Sequence, residues 1–186
     1  MRILVAAILV FFANSAFASD TGVQNAAKAF YDIYMQEHPM ALPDDPERVK
    51  FDPALSPTLI TLLKKADEAE ETYAEKTHNE SPPLIEGDLF TSNFEGTTSY
   101  SLGACDVKQQ TASCTVDLIY VDDQPREAQA TAPPEPLHWQ DTVYLVKTSG
   151  GWKVDNIGYG GTWDFGNHGK LTDVLKDAVR SAKEQN

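Results

Sequence analysis

An α+β fold, with helices packed on one face of a curved antiparallel sheet, is what this sequence predicts. Three observations predict it. Apolar residues recur at helical spacing early in the chain, alternate at strand spacing between about residues 96 and 159, and return to helical spacing after residue 170.

The opening "MRILVAAILVFFANSAFASD" has one positive charge, Arg2, then an apolar run and small residues at Ala16 and Ala18. It reads as a secretory signal peptide over residues 1 to 18, cut after Ala18, with residues 19 to 186 as a single domain. The apolar run is short for a bilayer span, which needs about 20 residues. A bacterial periplasm is the expected compartment.

The next stretch, "DTGVQNAAKAFYDIYMQEH", places Val23, Ala27, Phe30 and Tyr34 on one helical face. Asp20 or Thr21 is its expected N-cap, and Pro39 its end. "PMALPDDPERVKFDPA" reads as an irregular connection because of its four prolines. In "LSPTLITLLKKADEAEETYAEK", Ser56 caps a second helix and Pro57 takes its first position, where the missing N–H is harmless. Leu59, Leu62, Leu63, Ala66 and Tyr73 form its expected buried stripe, and the charge run at 64 to 71 its solvated face. "THNESPPLIEGDLFTSNFEG" is loop by composition, yet apolar enough to fold back over the core.

Four antiparallel strands follow, in "GTTSYSLGAC", "CTVDLIYVDD", and a last hairpin from Trp139 to Lys147 and Trp152 to Tyr159. "GKLTDVLKDAVRSAKEQ" closes the chain as a helix with Leu171, Val174, Leu175 and Ala178 on one side. Cys105 and Cys114, the two cysteines, are separated by "DVKQQTAS" and are expected to bond across a hairpin. Closing a loop of this size stabilises by about 2.7 kcal/mol on chain entropy alone.

Charge excludes some functions. The chain carries 28 acidic and 15 basic residues, a formal net charge of −13. Such a surface is repelled by nucleic acid and anionic membranes, whereas a basic protein is a compatible partner.

The helix ending in "FYDIY", the "LSPTLITLL" helix start, the "PPLIEGDLF" loop, and "GGWKVDNIGY" followed by "LTDVLK" resemble a family of bacterial envelope proteins. That family looks like a branch of the NTF2-like, or cystatin-like, cone fold. The resemblance covers Phe30 to Lys176. It implies a curved sheet of at least four strands against two N-terminal helices, with a C-terminal helix. Some relatives are outer-membrane lipoproteins, and this chain departs from them in having no lipidated cysteine. Other small exported proteins of this shape inhibit, or give immunity to, toxins delivered to the periplasm.

Chemistry finds few footholds. Cone-fold enzymes set an Asp or His beside a Tyr inside the cup, and the residues available are Asp117, His138, Asp141 and Asp155 with Tyr120, Tyr144 and Tyr159. Strict alternation gives Asp155 and Tyr159 one facing, the pair on which an isomerase or hydrolase would rest. The histidines at 38, 78, 138 and 168 show no zinc spacing, and no G-x-S-x-G or nucleotide-binding glycine motif occurs. No cofactor or metal is expected.

Binding has more support. Tyr159, Trp163, Phe165 and His168 follow the last strand in "YGGTWDFGNHG", a glycine-rich segment carrying anchor-type aromatics. The alternative for Trp163 and Phe165 is that they plug the end of the core. Asp122, Asp123 and Glu127 in "YVDDQPRE" offer an acidic loop to a basic surface, or are simply exposed. The sequence thus points to a non-catalytic periplasmic protein-binding domain, an inhibitor or immunity protein. A carrier of a small apolar molecule in the cup is the alternative.

Overall fold

The computed structural model describes residues 16 to 122 and 135 to 184, with side chains from residue 21. Within them the chain is α+β. Helices α1 (Ala16–Glu37), α2 (Asp45–Phe51) and α3 (Pro57–Lys76) precede strands β1 (Ser99–Lys108), β2 (Thr111–Tyr120), β3 (Leu137–Thr148) and β4 (Gly151–Gly158). Helix α4 (Leu171–Glu184) follows. The strands form one antiparallel sheet in the order β1-β2-β3-β4, each paired with its neighbour in sequence.

Helix α1 lies across the inner face of the sheet. Its Val23, Ala27, Phe30, Tyr31 and Tyr34 are buried against Cys114, Val116 and Leu118 of β2, Val143 and Leu145 of β3, and Val154 and Ile157 of β4. The rings of Phe30, Tyr31, Phe51 and Phe90 fill the space beneath, with centroids between 5.0 and 5.8 Å apart in the contacts Phe30 makes with the other three and Phe51 makes with Phe90. Helix α1 is already helical at Ala16, so Asp20 and Thr21 lie inside it instead of capping it.

The stretch expected to be irregular contains α2. Asp44 caps it, its carboxylate accepting from the Glu47 N–H at 3.0 Å while Glu47 accepts from the Asp44 N–H at 2.9 Å. The four prolines predict an irregular connection here, but Pro46 falls in the first helical turn, where no N–H is required. Arg48 ties α2 to α3 through Asp67 and to its own first turn through Asp45. There are therefore three helices before the sheet, one more than expected.

Ser56 caps α3, as its sequence requires, accepting from the Leu59 N–H at 3.0 Å. The outer edge of β4 is covered: Leu55 bridges to Val154, Ser56 N–H donates to the Val154 carbonyl at 2.8 Å, and Gly158 bridges to Lys170. An edge so covered is closed to further strand pairing. On β1 the ladder is broken by an extra residue between Leu102 and Cys105. Beyond it Cys105 and Cys114 face each other directly and are joined by a disulfide, which fixes the register of the hairpin.

A second irregularity changes a reading of the sequence. Tyr144 pairs with Asn156, but Leu145 pairs with Val154, leaving Asp155 as the extra residue of a bulge. The buried residues of β4 are accordingly Val154 and Ile157, three apart instead of two.

Candidate functional site

The segment from 84 to 97 has no regular structure, yet Ile85, Asp88, Leu89, Phe90, Thr91, Ser92, Asn93 and Thr97 are buried. A buried loop must find partners for its backbone polar groups. Asp88 supplies several. One carboxylate oxygen accepts from the N–H groups of Phe90 at 2.8 Å and Thr91 at 2.6 Å, and the other from the Tyr34 hydroxyl at 2.6 Å. The Tyr34 oxygen in turn accepts from the Thr97 N–H at 3.1 Å. Gly87, at φ 71°, turns the chain into this arrangement with the Phe94 ring packed on its Cα, where no side chain fits.

A second carboxylate joins this loop to the segment after β4. Asp141 sits on the inner face of β3 between Trp139 and Val143, all three buried. One of its oxygens accepts from the Ser92 N–H at 2.9 Å and the Trp139 indole N–H at 3.2 Å; the other accepts from the Gly160 N–H at 2.8 Å and from the Ser92 hydroxyl. Gly160 itself packs on the Gln140 carbonyl too closely for any Cβ.

Further bonds complete the join. Asn167 donates its side-chain amide to the carbonyls of Asp88 at 2.6 Å and Thr91 at 2.8 Å, and its N–H to the Ser92 carbonyl at 3.0 Å. Gly161 N–H donates to the Ser92 hydroxyl at 3.0 Å, and the Tyr159 hydroxyl donates to the Leu89 carbonyl at 2.7 Å.

The electrostatics follow from burial. Desolvation pushes Asp88 up to about 7, against the opposing pull of its hydrogen bonds to Tyr34, Thr91 and Phe90. Asp141 is pushed up from its ordinary value for the same reason, opposed by Ser92, Gly160 and Trp139. Tyr31, Tyr34 and Tyr159 are all raised by burial and by the nearby carboxylates. The Tyr31 hydroxyl is buried without a hydrogen-bond partner. A carboxylate offers about four acceptor positions, and protein donors fill those of Asp141.

The registers bring several loops to one end of the sheet. Ser99 pairs with Ile119 and Tyr120 with Leu137, so the start of β1, the end of β2 and the start of β3 coincide there, while β4 runs toward the same end and stops opposite Thr142, five residues into β3. Met40, bridged to Asp88, belongs to the same end. Among the described residues five large apolar side chains stand exposed: Met40 at 53%, Val49 at 73%, Phe94 at 38%, Val121 at 39% and Phe165 at 71%. All but Val49 belong to this loop end.

The residues expected to bind a partner divide accordingly. Tyr159 is half-buried, and its hydroxyl is held by Leu89. Trp163 is half-buried, edge-on to Trp139 at 5.6 Å and 87°, and thus packs as part of the core. Phe165 and His168 are exposed. Asp122 is half-buried just past β2, at the same end of the sheet. Asp123 and Glu127 lie outside the described residues.

Asp155 and Tyr159 do not meet. Asp155 accepts from the Ser56 hydroxyl at the start of α3, because the bulge breaks the alternation that gave the two residues one facing. Asp117 and His138 are exposed, with Asp117 accepting from the Gln140 side chain at 2.9 Å. The Tyr144 ring faces the Lys170 ammonium at 4.7 Å. Among the described residues no three His, Cys, Asp or Glu side chains gather as metal ligands, and no helix is long and apolar enough to cross a membrane.

Sequence reasoning passed over Asp88, Tyr34, Ser92 and Asn167 as site residues; they lie in three separate stretches of chain, α1, the 84 to 97 loop and the segment after β4. Asp141 did carry a signal: it occupies an inward position between Trp139 and Val143, where an acid requires partners. No protein-family model matches the chain, and neither curated proteins nor solved structures give a match.

Proposed function

We propose that the protein is a non-catalytic binding domain of the NTF2-like, cystatin-like cone type, exported to the bacterial periplasm, where it neutralises an envelope-targeted toxin as an inhibitor or immunity protein. The observation that carries this reading is the exposure of Met40, Phe94, Val121 and Phe165 on segments toward one end of the sheet, where two buried carboxylates hold the loops. Exposed apolar groups at one site mark an interaction surface more than a solvated one. Loops already fixed by internal hydrogen bonds lose little further entropy on binding, which favours tight association with a protein partner.

The disulfide between Cys105 and Cys114 fits an oxidising compartment. Asp122 and the overall charge of −13 suit a basic partner. The carboxylates that burial perturbs most are already engaged by Tyr34, Ser92 and backbone N–H groups, which favours a structural role for them over acid/base chemistry. Rings fill the inner face of the sheet, where a carried molecule would have to sit.

The test is recovery of a partner from periplasmic extract with the wild-type protein and with Phe165→Ser. The expected result is a defined partner retained by the wild type, reduced about tenfold with the variant and weakened by salt. Deleting the gene should harm cells only when the toxin gene is present. A partner held equally by Phe165→Ser, or no partner at any salt, overturns the proposal.

A further inference from the structure

The two edges of the sheet differ. That of β4 is covered by Leu55 with Ser56 and by Lys170, whereas among the described residues no strand or bridge lies against the outer edge of β1. An open edge offers its N–H and C=O groups to any strand that can approach, and proteins blunt it with bulges and charged side chains. β1 has both devices, but only in its second half: the extra residue falls between Leu102 and Cys105, and Asp106 and Lys108 come after it. The first half, residues 99 to 102, has neither. It lies in "GTTSYSLGAC", residues 96 to 105, which hold no charged side chain although the chain carries 28 acidic and 15 basic ones.

The apolar face is also unfinished here. Tyr100 and Leu102 stand on the inner face opposite Leu118 and Val116 of β2, which are 1% and 0% exposed, yet both are only half-buried themselves. Helix α1 fixes Tyr100 in place, because its ring stacks on Tyr31 at 5.1 Å and its hydroxyl donates to Asp32 at 2.6 Å. A hollow of about 430 Å³ opens against the strand, lined by Lys28, Asp32, Tyr100, Ser101 and Leu102. On the outer face Ser99 and Ser101 are exposed.

Two features select what fits this edge. Antiparallel pairing with a second copy about a twofold axis at Ser101 sets Tyr100 opposite Leu102 of that copy, and Leu102 opposite its Tyr100. Directly opposite residues share a face, so these aromatic–aliphatic pairs carry the inner apolar row across the axis. Ser101 meets its own symmetry mate and Ser99 meets Gly103, so nothing bulky or charged opposes itself. Charge makes the second argument. A strand held by ion pairs finds nothing to grip between residues 96 and 105, whereas two copies of a chain of net charge −13 repel each other least along a stretch that carries none.

We propose that the first half of β1 pairs with the same segment of a second copy, joining the two four-stranded sheets into one. Antiparallel pairing turns the two loop ends to opposite ends of the joined sheet, so both stay free, and either assignment can fail without the other. The bulge and the charges beyond Leu102 confine the contact to a few residues a side. The association is accordingly weak, with a Kd on the order of 0.1 mM.

Sedimentation of the protein purified from periplasmic extract, from about 10 µM to about 1 mM, is the test. The expected result is a monomer–dimer equilibrium that moves toward dimer in about 0.5 M salt, because screening relieves the repulsion between two acidic chains. Ser101→Lys and Ser101→Glu each place like charges on the axis and should weaken the dimer about tenfold or more. Mixing the two variants sets lysine against glutamate and should restore it. Ser101 is exposed and sits opposite Asp117, so Ser101→Lys should keep the wild-type melting profile. Phe165→Ser should leave the dimer unchanged. A protein that stays monomeric throughout, a dimer indifferent to Ser101→Lys, variants that remain apart when mixed, or a dimer that salt dissolves overturns the proposal.

Discussion

Asp88 shows how one side chain organises a loop at an energetic cost that depends on pH. Its carboxyl is raised from the ordinary 3.8 to about 7 in the folded chain, so the fold binds a proton that the unfolded chain releases earlier. A raised value gives stability that is complete below pH 4 and lost as pH climbs through 7. Asp141 shifts in the same direction, while Asp32, lowered by Lys28 and Tyr100, acts in the opposite one. We expect unfolding free energy measured by urea titration to fall between pH 5 and 7 in the wild type by an amount on the order of 2 kcal/mol. Asp88→Asn should flatten that fall whatever its absolute stability. Parallel pH profiles for the two proteins would remove Asp88 as the source. Tyr31 makes a complementary case. Its hydroxyl is buried without a partner, so Tyr31→Phe should be neutral or stabilise the protein by about 1 kcal/mol, read as a higher urea midpoint. A clear loss of stability would mean that the hydroxyl has a partner in solution.

At the scale of elements, one pair of side chains joins helix α3 to strand β4 beside the Ser56 N–H bond to the Val154 carbonyl. The Ser56 hydroxyl accepts from the Leu59 N–H and donates to Asp155, so one group both caps the helix and engages the bulge. Ser56→Ala should therefore cost about 1 to 2 kcal/mol, the upper part of the range for a lost cap. A double-mutant cycle with Asp155→Ala should show coupling, because both changes remove one shared bond. Additive losses would separate the two functions. The β1–β2 hairpin depends on a covalent link in the same way. Replacing Cys105 and Cys114 with serine should lower stability by about 3 kcal/mol, less any relief of strain, as read from thermal or urea unfolding. A stability loss below about 0.5 kcal/mol would show that the strand pairing holds the hairpin's register without the disulfide.

Over the whole molecule, the two carboxylates make an irregular end behave as part of the core. Asp141 binds β3 to the 88 to 97 loop and to the segment after β4, and Asn167 crosses between those same two segments. Amide exchange should consequently be slow at Phe90, Thr91, Ser92 and Gly160, comparable to the strands and unlike exposed loop positions such as Glu86. Asp141→Ala should release all four amides together while the β2–β3 ladder keeps its protection. Independent release of single amides would mean that the loops do not move as one unit. Such a unit can present Phe165 and Met40 in fixed positions.

The sequence by itself determined the class of fold, because hydrophobic period is a local property: helix spacing in α1, α3 and α4, strand alternation in β2 and β3, and the Ser56–Pro57 helix start all lie within short windows. It also determined the disulfide, since each cysteine had one possible partner. The capping box of α2 was present in "DDPE" but was masked by the prolines around it. Only the tertiary structure decided the rest. The bulge at Asp155 depends on the match between β3 and β4, and it separates Asp155 from Tyr159. The Asp88 and Asp141 networks join residues 54 and 49 positions apart in their Tyr34 and Ser92 bonds, distances over which no periodicity acts. The exposure of Phe165 beside a packed Trp163, and the half-burial of Leu62 where the sequence predicts a buried stripe, depend on which neighbour arrives from elsewhere in the chain. Burial is a property of the packed whole, and one chain read in order carries only its local half.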